Sequence, residues 1–169
     1  ILTADDFASY EALTYDHTLD GTYRGLTLSG VPGANACSLT IEALQILQQF
    51  ELGSLDWNSP EHLHLLIEAF KLATVDRYTY LGDPALTNSP IEALAHPGFA
   101  KQRAQEISLT QSGQPASGNP WPFADSPEPE GFLPPAGMPF DAGTTHLTVV
   151  DRNRMAVSLT QSNVGFSGV

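Results

Sequence analysis

The chain is short of basic residues, of cysteine and of long apolar runs, and each shortage removes a class of function. Seven Lys and Arg stand against nineteen Asp and Glu, a formal net charge of -12 at pH 7 over 169 residues. That charge repels phosphate backbones and anionic lipid, and no basic stripe offsets it, so nucleic acid and the membrane surface are set aside as partners. A single cysteine, Cys37, cannot build an internal disulfide framework. No apolar run approaches the roughly 20 residues of a membrane-spanning helix. A Gly-x-Ser-x-Gly elbow, a phosphate-binding glycine loop, a dinucleotide fingerprint and internal repeats are also missing. What remains is small-molecule or peptide chemistry on a chain that is 41% hydrophobic, enough for a core. The opening Ile-Leu-Thr-Ala-Asp-Asp has neither an initiator Met nor a signal-peptide pattern, so any targeting segment is expected upstream of Ile1.

Thr3 and Asp6 have the spacing of a helix cap and first-turn acid, which predicts a short helix to about Tyr10. Strands are expected over 13–17 and 23–28, turning at Asp20-Gly21. The Pro- and Gly-bearing stretch 31–36 reads as a loop, with Asn35 or Ser38 capping the next helix. That helix carries Ile41, Leu44, Ile46, Leu47 and Phe50 on its apolar face and is expected to end at Gly53. Ser59, Pro60 and Glu61 sign the start of another, whose apolar face is Leu63, Leu66, Ile67, Phe70 and Ala73 and which stops at Gly82-Asp83-Pro84. Two shorter helices follow Ser89-Pro90 and His96-Pro97. From Gln111 to Gly143 the composition changes, with eight of the thirteen prolines between Pro115 and Pro139. No periodic core face survives there, and the stretch reads as an extended, mobile, partly polyproline-like linker. The chain thus divides into 1–110, a linker over 111–143, and 144–169.

Three groups invite a chemical reading and are better explained structurally. His62 and His64 face different sides of one helix, and His64 with Glu68 lacks a third ligand, so no metal is expected. Cys37 near an apolar stripe reads as a small core residue. Asp76-Arg77 reads as a structural ion pair between helix and sheet, although Arg also suits a substrate carboxylate.

The stretch Gly143 to Asp151 is different. Thr145, Leu147 and Val149 alternate with Thr144, His146 and Thr148, so a strand carries an aliphatic row on one face and hydroxyls with an imidazole on the other. Ala156 to Ser162 repeats the alternation. Matching the faces selects a three-residue turn, Arg152 to Arg154, which sets Val149 against Val157, Leu147 against Leu159 and Thr144 against Ser162. A four-residue turn mixes the faces. A flexible linker, a Gly before a Thr, and a hydroxyl-bearing strand face are what a chain needs if it is to be cut at Gly143-Thr144, leaving a new N-terminal nucleophile. A Thr hydroxyl normally needs a base, and a freed α-amino group, of unperturbed pKa about 7.7 to 8.0, can serve. Ser162 then orients the Thr144 hydroxyl.

At these residues the sequence resembles the γ-glutamyltranspeptidases, members of the N-terminal nucleophile hydrolases. The ordered set Tyr23-Arg24-Gly25, Ile46 to Leu52, His64 to Ala73, Asp76-Arg77, Leu81 to Pro84, Thr144 to Asp151 and Ala156 to Ser162 carries the likeness. The resemblance implies an α/β (α+β) fold that is part of a four-layer αββα sandwich, here a central piece spanning the junction of large and small subunits. It makes Thr144 the nucleophile, released by self-cleavage after Gly143, with Thr145 and His146 as supports and Ser162 bonding the nucleophile. Asn163 corresponds to the asparagine that holds the substrate's α-amino group, one residue early. The loop Gly33 to Cys37 and the turn residues Arg154-Met155 depart from the family pattern. The carboxylate-clamping arginine is expected upstream of Ile1, and the acidic residue, paired serines and oxyanion hole beyond Val169.

The implied activity is transfer or hydrolysis of γ-glutamyl amides such as glutathione, with an amine or water as acceptor, no cofactor, and pairing of the two subunits after cleavage. The resemblance is compatible with a periplasmic or extracellular setting. The alternatives are an acylase for another side-chain amide, such as a β-lactam, and a truncated relative without turnover that serves as a binding or assembly module.

Overall fold

The computed structural model describes residues 3–12, 14–33, 35–83, 86–132 and 144–162. The chain forms two compact units, Ile1–Ala136 and Gly137–Val169. In the first, helix α1 (Ala4–Ala8) starts at a reciprocal cap between Thr3 and Asp6 and is shorter than the run to Tyr10 that the sequence suggests. Strands β1 (Leu19–Tyr23) and β2 (Leu26–Gly30) form an antiparallel hairpin.

The hairpin corrects the expected turn. Asp20 and Gly21 lie inside β1, paired with Ser29 and Leu28, and the chain reverses at Arg24-Gly25, where φ is 49° and 81°. A two-residue hairpin turn with both central φ positive follows the right-handed twist of its strands, and glycine tolerates it without strain. The glycine at 21 has a packing role: a Cβ there would collide with Ile41 of the adjoining helix.

Helix α2 (Cys37–Leu47) has Ala36 at its cap position with no side-chain cap, so neither Asn35 nor Ser38 caps it: Asn35 Oδ1 accepts the Cys37 N–H at 2.8 Å from one residue further out, and Ser38 is buried inside the helix. It ends at Leu47, six residues before Gly53, which sits in a single 3-10 turn (Leu52–Ser54). Helix α3 (Pro60–Tyr80) starts as expected, with Ser59 Oγ accepting from the His62 N–H at 3.2 Å and Pro60 at the first helical position. Helices α4 (Ile91–Leu94) and α5 (Pro97–Ala104) follow, the latter capped by His96 Nδ1 on the Gly98 N–H.

Ile46 and Leu47 of α2, Leu65, Ala69 and Leu72 of α3, and Ala100 and Ala104 of α5 make the main core. Burying each of the larger side chains contributes about 1.5–3 kcal/mol. A second cluster of Leu19, Ile41, Ile91 and Ala95 seats β1 and α4 on α2. Of the face of α3 that the sequence marks as core, Ala73 is buried and Leu66 packs against the main core, but the rest is not buried. Leu63, Ile67 and Phe70 remain exposed, whereas the opposite face buries Leu65, Ala69 and Leu72 together with His62, Glu68 and Asp76. The helix is apolar on both sides, so periodicity does not choose between them, and on the winning face Glu68 and Asp76 find hydrogen-bond partners on other elements.

Those partners come largely from the Pro/Gly-rich stretch. Where composition suggests a mobile linker with no core face, residues 112–123 are docked on α3 and α5. Ser112 Oγ and the Gly113 N–H donate to Glu68, the Gly118 N–H donates to Asp76 at 2.6 Å, and Tyr80 Oη donates to the Gly118 carbonyl at 2.6 Å. Trp121 is buried edge-on to Tyr80. Segments without their own hydrogen-bond ladder need other partners for their buried backbone groups, and here side chains of α3 and α5 supply them at Gly113, Ala116 and Gly118.

The second unit is an antiparallel hairpin of β3 (Thr144–Val150) and β4 (Ala156–Ser162). Its turn has the expected three residues. The Asp151 N–H donates to the Met155 carbonyl at 2.9 Å, Asp151 Oδ1 accepts from the N–H groups of Asn153 and Met155, and Arg154 takes φ 66°.

Candidate active site

The hairpin register is the one that face-matching requires. Val149 pairs with Val157 and Leu147 with Leu159 on one face. On the other, Thr148 pairs with Ser158, His146 with Thr160, and Thr144 with Ser162 at the end of the ladder. Thr145 lies opposite Gln161 on the aliphatic face. What is described of Thr144, Thr145 and Ser162 is this backbone placement. Gly143, the expected cleavage residue, and Asn163, the expected substrate-binding asparagine, lie outside the described residues, as does 133–143 of the expected linker.

The polar face is a connected row. His146 Nδ1 is 2.7 Å from Thr160 Oγ1, and its Nε2 is 2.9 Å from Thr148 Oγ1 and 3.2 Å from Ser158 Oγ. Both ring nitrogens are therefore engaged by hydroxyls, each of which can donate or accept. Sequence reasoning names His146 as a support but not Thr160, Thr148 or Ser158 as its partners. The alternation of hydroxyls along both strands was the available signal.

A second polar centre was missed by the sequence reading. Asp76 pairs with Arg103 of α5, Nε to Oδ2 at 2.8 Å, both fully buried, so the expected ion pair runs between helices rather than from helix to sheet. Arg103 also donates to both oxygens of Glu106 at 2.6 Å and to the Ala116 carbonyl at 2.8 Å. Glu42 of α2 is buried beside Asp76. Burial, then the charge of Asp76 and the hydrogen bond to it, push the Glu42 carboxyl well above the ordinary carboxylate range. Burial raises Asp76 too, but the hydrogen bond from Glu42 and the Arg103 charge pull against it, so the shared proton sits on Glu42. Glu68 goes the other way. Burial would raise it, and the hydrogen bonds of Lys71, Gly113 and Ser112 outweigh that and hold it below its usual value.

The groups read structurally in the sequence fall into packing roles. Cys37 lies against Gly30, where a Cβ would sit 2.8 Å from its Sγ. His64 Nε2 meets the Ser108 carbonyl at 2.7 Å, and the His62 ring lies 5.2 Å from that of Trp57. A cavity of about 230 Å³ in the first unit is lined by Glu68, Leu72, Glu106, Ile107 and residues 113–116.

Comparison with known proteins places this geometry in a class. The family model for gamma-glutamyltranspeptidase matches residues 1–168. The glutathione hydrolase proenzyme of Bacillus subtilis (strain 168) is 32% identical over 94% of this chain and 27% of its own length. The acylase ACY 1 proenzyme of Pseudomonas sp. (strain SE83) is 30% identical over 96% of this chain and 26% of its own. The solved gamma-glutamyltranspeptidase from Pseudomonas nitroreducens, complexed with L-DON, superposes with a TM-score of 0.61 at 27% identity, covering 67% of this chain and 34% of that one. The fold is that of the N-terminal nucleophile hydrolases, mixed helix and sheet, a piece of the four-layer αββα sandwich. Within that class, the chain belongs to the gamma-glutamyltranspeptidase family. It is a fragment on that scale, spanning about a quarter of the length of the curated relatives it matches.

Proposed function

We propose that this chain carries the cleavage junction and nucleophile of a γ-glutamyl transferase and hydrolase. In the intact precursor the Thr144 hydroxyl attacks the Gly143 carbonyl carbon. The Gly143–Thr144 peptide bond breaks as an ester forms on Thr144, and water hydrolyses that ester to leave a Gly143 carboxylate and a free Thr144 amine. In turnover the amine accepts the proton of the Thr144 hydroxyl as its oxygen attacks a γ-glutamyl amide. The C–N bond of the amide breaks, the leaving amine takes the proton, and the γ-glutamyl ester on Thr144 passes to water or to an acceptor amine. Ser162 orients the Thr144 oxygen, Asn163 holds the substrate's α-amino group, and Thr145 and His146 support the motif. No cofactor takes part in these steps, and the two pieces stay paired after cleavage.

The observation that carries the reading is the register that makes Thr144 and Ser162 the terminal polar pair of the hairpin, in a family with relatives named as proenzymes. The test is the mass of the purified full-length protein and its Thr144→Ala variant. Wild type should yield two pieces parting between Gly143 and Thr144, and T144A should stay whole and resist labelling by a reactive glutamine analogue. A T144A protein that is cut or labelled refutes the assignment. A second reading, an acylase acting on a different side-chain amide, is supported by the acylase relative at 30% identity. Comparing turnover of a γ-glutamyl anilide with that of a β-lactam side-chain amide separates the two.

A further inference from the structure

We propose that Thr160, acting through His146, is a positioning residue for the nucleophile: the imidazole is a cross-strand pin that holds the terminal Thr144–Ser162 pair in place. The inference rests on the role assigned to Thr144 above.

Thr144–Ser162 is the last described pair of the ladder, and the pair next to it on the same face is His146–Thr160. Strand ends fray, and a slip of one residue would carry the hydroxyl row to the aliphatic face. The aliphatic pairs Val149–Val157 and Leu147–Leu159 resist that slip deeper in the hairpin, but the side chains of Leu147, Val149, Val157 and Leu159 are each more than half exposed. Among the described side chains of the polar face, the joining contact nearest the end is His146 Nδ1 to Thr160 Oγ1 at 2.7 Å. The ring cannot swing away from it freely, because Nε2 is engaged on the other side by Thr148 Oγ1 and Ser158 Oγ. Thr148 shares the ring's strand and Ser158 lies across it, so three hydroxyls from two strands fix one imidazole.

That arrangement argues against His146 as the base for Thr144. Residues two apart on a strand are separated by about 6.6 Å along its axis, and both ring nitrogens are already committed. Its contribution is geometric. Small errors in placing a nucleophile are costly to rate, since attack requires reacting atoms about 3–3.5 Å apart and aligned.

The test uses the full-length protein with three exchanges: Thr160→Val, which keeps the shape and loses the hydroxyl, Thr160→Ser, which keeps the hydroxyl, and His146→Ala. Precursor scission is timed by mass spectrometry, and kcat and KM of the matured protein are measured with a γ-glutamyl anilide. T160V should slow scission and lower kcat by about five- to tenfold, the scale of one lost hydrogen bond, with KM unchanged. T160S should restore most of both rates. In the H146A background T160V should add nothing, because the two side chains act as one unit. Wild-type rates in T160V, failure of T160S to rescue, or additive losses in the double variant overturn the pin. If T144A stays whole while T160V behaves as wild type, the pin alone falls; if T144A still divides, the nucleophile reading falls and takes the pin with it.

Discussion

Replacing the buried Glu42 by Gln should stabilise the helical unit, and by an amount that grows with pH. Glu42 is fully buried on α2, next to an Asp76 already committed to Arg103, and its carboxyl is held well above the ordinary range by burial first and by Asp76 second. A carboxyl whose folded pKa is raised favours folding fully only below its unfolded value, near 4.5, and that stability is lost as pH rises through the folded value. Over that window wild type should lose about 1.4 kcal/mol per pH unit relative to E42Q, the linkage for one proton. Below pH 4 the two should agree to within about 1 kcal/mol, because the Gln amide can donate to Asp76 as the protonated acid does. The assay is urea unfolding of both full-length proteins, followed by far-UV circular dichroism at half-unit steps from pH 4 to 8. A difference that stays flat across this range would refute the shared proton and the raised Glu42 pKa with it.

Two further exchanges probe the elements around the sites. Arg154 holds φ 66° in the β3–β4 turn, a region that penalises side chains, so Arg154→Gly should stabilise the hairpin by about 1 kcal/mol, read as slower amide exchange across β3 and β4. Unchanged exchange would show that the turn is unstrained. Glu68 is held below its usual pKa by Lys71, Gly113 and Ser112, so its hold on the docked segment is present above pH 4.5 and fades as pH falls through its folded value. Glu68→Gln should raise amide exchange at Gly113 at neutral pH and remove the acid-induced increase seen in wild type. Equal exchange in the two proteins at pH 7 would deny Glu68 that role.

Much of the candidate site was legible in residue order because it rests on period-two alternation. One slip of register exchanges the two faces of a strand pair, so the hydroxyl and aliphatic rows of Thr144 to Val150 and Ala156 to Ser162 admit one pairing and one turn length. The caps at Thr3 and Ser59 were legible for a similar reason, since a capping side chain bonds within three residues of itself. Tertiary structure decided what depends on distant partners. Gly21 resembles a turn residue until Ile41 is laid against it, and the turn passes to Arg24-Gly25. Helix α3 is apolar on both faces, and the side that buries Glu68 and Asp76 prevails because residues 112–118, Lys71 and Arg103 satisfy them. The Pro/Gly-rich stretch lacks any periodicity to read, since what anchors it is backbone N–H and C=O groups meeting charged side chains more than ten residues away. Local alternation and capping are written in neighbouring letters, whereas burial of a charge depends on partners that only the folded chain brings together.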